Sequence, residues 1–128
     1  MRKVFTNGCF DVMHLMHVEL LRFAKLQGDY LVVGLNSDES VKRLKGDTRP
    51  IFNQEDRKKF LESIRYVDKV IIFNEDTPLE LIKEVRPDLI VKGGDYKAED
   101  VVGAEICPVK IFPFTSGYST TSILQALK

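Results

Sequence analysis

At 128 residues the chain has the size of a single domain, 1–128, long enough to bury a core. Its 19 basic and 19 acidic residues balance, which excludes a general electrostatic pull toward nucleic acid or an anionic membrane and leaves anion binding to local clusters. Hydrophobic residues at 44% and charged residues at 30% argue against disorder, and no apolar run approaches a membrane span.

Lys3 to Thr6 reads as a first strand, and from His17 to Leu26 apolar positions recur at helical spacing until Gly28-Asp29 stops them. Tyr30 to Asn36 is a continuous apolar run, as expected of a strand buried on both faces. A short helix follows from Ser37 to Leu44, then a polar loop, Lys45 to Pro50, and a helix capped by Asn53 with Phe60, Leu61 and Ile64 as its buried stripe. Lys69 to Phe73 is the third strand. Thr77-Pro78-Leu79-Glu80 predicts a capping box with proline at the first helical position, and that helix ends before Pro87. Asp88 to Lys92 and Pro108 to Phe112 are strands four and five, and Ser119-Thr120-Thr121 caps a last helix.

Strand and helix alternating without hairpin signals predicts an α/β fold: a doubly wound, five-stranded parallel sheet with helices on both faces. In such sheets ligands bind beyond the carboxyl ends of the strands. The chemically suggestive residues fall there: Gly8 to His17, Asn36, Lys92 to Asp95, and Ser116 to Thr121. His14 and His17 stand where a helix begins, and the free N–H groups and dipole of a helix start attract phosphate.

Gly8-Cys9-Phe10-Asp11 followed by His14 and His17, with Gly117-Tyr118-Ser119-Thr120-Thr121 near the end, resembles the cytidylyltransferase-like nucleotidyltransferases. Within that family the chain is most similar to the adenylyltransferase domain of bacterial heptose phosphate enzymes. That likeness rests on Thr6-Asn7-Gly8, Arg49-Pro50, Glu75-Asp76-Thr77-Pro78 and, above all, Lys92-Gly93-Gly94-Asp95-Tyr96. It implies transfer of a nucleoside monophosphate from ATP, or CTP, to a small sugar phosphate such as heptose 1-phosphate, with release of magnesium pyrophosphate. A phosphate nucleophile is ionised near neutrality and needs no general base, so catalysis is positioning and charge stabilisation.

The resemblance assigns His14, His17 and Lys45 to catalysis. To the nucleotide it assigns Thr6, Gly8, Phe10, Asp11, Arg57, Lys92, Gly94 and Asp95, with Ser119, Thr120 and Thr121 on the β- and γ-phosphates. Asn36 and Lys42 are its candidates for the acceptor substrate. It implies Mg²⁺ carried with the triphosphate, no protein metal site and a homodimer, while the two distant cysteines, Cys9 and Cys107, read as those of a reduced, cytoplasmic protein. Two departures stand out. Met16 replaces the family's glycine between the histidines, and Phe114 stands where cytidylyltransferases often carry an arginine, which tilts the donor toward ATP.

Plainer readings accompany these. Lys42, Arg43 and Lys45 also read as a solvated charge cluster, Lys92 as a snorkelling strand end, and Cys107 and Met13 as core or loop residues. A zinc site from Cys9, His14 and His17 lacks a fourth ligand. Two rival functions remain: a cytidylyltransferase of the glycerol-3-phosphate type, and a nucleotide-binding module weakened in catalysis by Met16.

Overall fold

The computed structural model of the chain describes residues 1–94 and 96–113. Five parallel strands, β1 (Lys3–Gly8), β2 (Tyr30–Asn36), β3 (Lys69–Phe73), β4 (Leu89–Gly93) and β5 (Val109–Phe112), lie in the order β3-β2-β1-β4-β5. The helices are α1 (Leu15–Leu26), α2 (Asp38–Lys45), α3 (Gln54–Glu62) and α4 (Leu79–Val85), with a 3₁₀ turn at Ala98–Asp100. This is the expected Rossmann-like sheet. The last helix expected at Ser119 lies outside the described residues.

The two-residue period of the strands sorts the core into two layers. Val4, Leu31, Val33, Leu35, Leu89 and Val91 pack on one face with Leu20, Leu21 and Ala24 of α1 and Leu61 of α3. Phe5, Val32 and Ile90 face the other way, onto Leu81, Ile82 and Val85 of α4. Gly34 lets the second layer close: a Cβ there would stand 2.8 Å from Phe5 Cζ. β1 runs two residues beyond the expected Thr6, because its pairing with β2 continues through Asn7–Gly34 and Gly8–Leu35.

Ser37 and Asn53 cap α2 and α3, their side chains accepting from the backbone N–H of Ser40 and Asp56. Two local expectations need correction. The capping box at Thr77 does not form: α4 starts at Leu79 with Pro78 at the N-cap and no side-chain cap bond, a position where proline's missing N–H costs nothing. Phe60 is not buried but 51% exposed, and Leu61 carries the apolar contact instead. The inward stripe of α3 runs through Arg57 and Leu61, one turn apart, because backbone carbonyls draw the Arg57 guanidinium inward.

Candidate active site

β1 sits between β2 and β4, so their carboxyl ends meet at the point where the chain order reverses, the place where open α/β sheets bind ligands. A cleft of about 420 Å³ opens there. Gly8, Phe10, Asp11, His17, Asn36, Lys45 and Lys92 all line it, drawn from three strand ends and the turn after β1, the start of α1 and the end of α2. Segments far apart in the sequence thus share one site.

The turn after β1 is held in a costly conformation. Phe10 has φ 45°, a left-handed backbone that non-glycine residues rarely adopt. Burial of its ring, 4% exposed, holds it there, with the ring centroid 5.5 Å from that of His17. Gly8 permits this packing, since a Cβ at position 8 would stand 3.1 Å from the Phe10 ring. The turn sends Asp11 into the protein, its side chain 1% exposed, where it gathers the loop between α2 and α3. Its carboxylate accepts from the backbone N–H of Ile51 at 2.8 Å and of Phe52 at 3.0 Å, and from Arg49 Nε at 3.0 Å. Burial works to raise the Asp11 carboxyl, but those donors outweigh it and hold it below the ordinary aspartate value.

His14 is the N-cap of α1, and His17, at the third helical position, accepts the His14 backbone N–H on Nδ1 at 3.1 Å. An imidazole therefore plays the part that Glu or Gln plays in a capping box. With Nδ1 an acceptor, the neutral ring of His17 carries its proton on Nε2. The two imidazole centroids are 4.0 Å apart. Burial above all, then the neighbouring His14 and Lys45, pushes His17 down to about 4, and burial also lowers His14. Near neutral pH His17 is thus an uncharged donor.

Lys92 leaves β4 into the cleft with its ammonium 5.3 Å from the centre of the Tyr96 ring. Burial lowers its pKa; Cys9 opposes that and Lys45 adds to it. Burial likewise raises the Cys9 thiol against the pull of Lys45, Arg57 and Lys92. Asn36 is buried, its amide donating to Ser40 Oγ at 3.0 Å.

Other expected site residues lie elsewhere. Arg57 is beneath the cleft, its side chain 1% exposed, donating to the carbonyls of Phe52, Cys9 and Asn36 and to Asp38 Oδ1 at 2.7–2.9 Å. It shapes the site through the β1 and β2 termini. Thr6 is wholly buried in the sheet and does not line the cleft; nor does His14. Lys42 is exposed on α2 and borders a separate groove with Asp38 and Ile51. Gly94 has φ 114° and packs under Tyr96, where a Cβ would meet the ring at 3.1 Å. Asp95, Ser119, Thr120 and Thr121 lie outside the described residues. Met16 is 9% exposed, turned into the protein and absent from the cleft wall. Sequence reasoning did not place Arg49, Thr77 or Tyr96 in the site, although all three line it and all three stand in blocks shared with the heptose enzymes. Among the described residues no group of three or more His, Cys, Asp or Glu side chains is placed to hold a metal ion.

The model of the cytidylyltransferase-like family matches residues 5–126. The chain belongs to this family. The nucleotidyltransferase reading of its motifs therefore holds at family level. It is 58% identical over 128 residues to the bifunctional protein HldE of a Nitratiruptor species, covering 99% of this chain and 28% of that protein. With HldE of Campylobacter fetus subsp. fetus it shares 55% identity over 98% of this chain and 28% of that one. The chain thus spans under a third of the length of the curated relatives it matches. Among solved structures, it resembles the lipopolysaccharide core biosynthesis protein from Thermoplasma volcanium at a TM-score of 0.72 and 32% identity. That match covers 90% of this chain and 97% of the other. No helix among the described residues is long and apolar enough to cross a membrane.

Proposed function

We propose that this cytidylyltransferase-like chain is an adenylyltransferase acting on a sugar 1-phosphate, with ATP as donor and heptose 1-phosphate as first candidate acceptor. A phosphate oxygen of the acceptor attacks the α-phosphorus of ATP. The new P–O bond forms as the bond to the leaving pyrophosphate breaks, and a nucleotide-activated sugar results. The observation that carries this is His17. Its Nδ1 is engaged by the His14 amide and its pKa lies near 4, so it is a poor proton acceptor at neutral pH. A site with such a histidine suits a nucleophile that arrives already ionised, as a phosphate does, better than an alcohol that must first lose a proton.

In this reading His17 donates to an α-phosphate oxygen, and Lys45 and Lys92 balance the charge that grows on the transferring and leaving groups. Ser119, Thr120 and Thr121 hold the β- and γ-phosphates, and Gly8 and Asn36 border the nucleotide and acceptor. Magnesium enters as the counter-ion of the triphosphate, a part of the substrate. The identity with the two HldE proteins over nearly the whole chain supports a heptose phosphate acceptor. A cytoplasmic homodimer belongs to the same proposal.

The test is pyrophosphate release from ATP or CTP, with magnesium and heptose 1-phosphate or glycerol 3-phosphate, against His17→Gln. ATP with the heptose phosphate is the expected pair. Release with CTP and glycerol 3-phosphate alone would replace this reading by the cytidylyltransferase one. Nucleotide binding without release in any pairing would leave a binding module.

A further inference from the structure

Arg49 stands on the loop that Asp11 gathers, and its guanidinium is held at one edge only. Nε donates to Asp11 Oδ2 at 3.0 Å, which fixes the plane of the group. The side chain is 11% exposed and Arg49 lines the cleft. Its Nη2 is fully enclosed and has no acceptor among the described residues. Leaving a charged donor buried without an acceptor is costlier than leaving a neutral one. A guanidinium secured at one edge, with a buried nitrogen unsatisfied and the rest of the side chain bordering a cleft, is poised to take its missing acceptor from a ligand.

The surroundings specify the ligand. Lys45 and Lys92 line the same cleft, so together with Arg49 the wall carries three cations. Of the three acids there, Asp11 is committed to the loop and to Arg49, Asp76 accepts from Arg43 Nε at 2.8 Å, and Asp100 stands exposed on the 3₁₀ turn. The remaining positive charge, carried by Lys45 and Lys92 beside the half-engaged Arg49, suits an anion with several acceptor oxygens. Phosphate matches the planar guanidinium fork.

We propose that Arg49 is a phosphate-binding residue of the cleft, aimed by Asp11, which contacts a non-bridging phosphate oxygen of a phosphorylated ligand. Which ligand it serves rests on the adenylyltransferase reading; that it binds phosphate does not. Titration calorimetry on the full chain with ATP, inorganic pyrophosphate and heptose 1-phosphate, each alone, tests this without turnover. Arg49→Gln should weaken at least one probe by about ten- to hundredfold, the equivalent of one charged hydrogen bond. Loss confined to ATP and pyrophosphate assigns Arg49 to the donor, and loss confined to the sugar phosphate assigns it to the acceptor. Methylguanidinium added to Arg49→Ala should restore part of the affinity, which repair of a merely loosened loop would not do. Affinities within about twofold for all three probes would overturn the proposal, as would a loss that methylguanidinium leaves untouched. Should the wild-type chain release no pyrophosphate yet show this Arg49 dependence, the adenylyltransferase reading fails and the phosphate site stands.

Discussion

Two guanidinium groups reach the carboxyl edge of the sheet from neighbouring pieces of chain, Arg49 from the loop and Arg57 from the helix after it. Arg57 is nearly saturated: four of its five N–H donors bind together the ends of β1 and β2, the loop and α2. Among the described residues the Arg49 side chain is secured by Asp11 alone and keeps an enclosed nitrogen without an acceptor, on a side chain that borders the cleft. The same side chain thus serves as architecture in one case and as part of a binding wall in the other. What separates the two is how many of their donors the protein itself satisfies.

Removing Arg57 should do the most damage. Arg57→Met leaves three buried or half-buried carbonyls and Asp38 without that donor, and urea denaturation should show a loss of about 3–5 kcal/mol. A loss below about 1 kcal/mol would erase the contrast with Arg49. On the reactive side, His17→Gln keeps an acceptor for the His14 amide, as glutamine does in a capping box, and removes the imidazole donor. Single-turnover pyrophosphate release should fall about 10²- to 10³-fold with the melting temperature little changed.

Acid should separate the two histidine roles next. Because His17 is depressed to about 4 in the folded protein from an ordinary 6.5, the unfolded chain binds the extra proton first. Stability is therefore fully present above about pH 6.5 and is lost as pH falls toward 4, by about 3 kcal/mol at most. His17→Gln should flatten that window. Asp11, held below the usual aspartate value, should lose its contribution only at still lower pH. The smallest change is expected from Met16→Leu. With the methionine turned inward, denaturation should shift by less than about 1.5 kcal/mol and turnover should stay within about threefold. A marked rise in turnover would mean that residue 16 reaches the nucleotide.

Much of this architecture was legible in the residues. The run Tyr30 to Asn36 and the third strand, Lys69 to Phe73, have the bounds expected, because apolar runs flanked by turn residues leave a strand little freedom. The cap at Asn53 was equally readable, being local, and that of α2 narrowed to Ser37 or Asp38, of which Ser37 is the cap. What escaped depends on partners far along the chain. Nothing near Arg57 tells that Cys9 and Asn36 will offer it carbonyls, so it reads as an anion-binding arginine. Nothing near Arg49 tells that Asp11, 38 positions earlier, will orient it. Met16 reads as an intrusion between two histidines because the pattern gives its spacing and not its direction. The hydroxyl-rich Ser119 to Thr121 were read from motif alone, and their place in the site rests on the proposal.

The contact between Gly8 and the Phe10 ring has a consequence for how the sequence can vary. A side chain at position 8 needs the 3.1 Å that the ring occupies, and a smaller residue at position 10 gives up the burial that holds its backbone at φ 45°. Neither position can change alone without loss. Across related chains they are expected to drift as a pair, a larger residue at 8 accompanied by glycine or asparagine at 10.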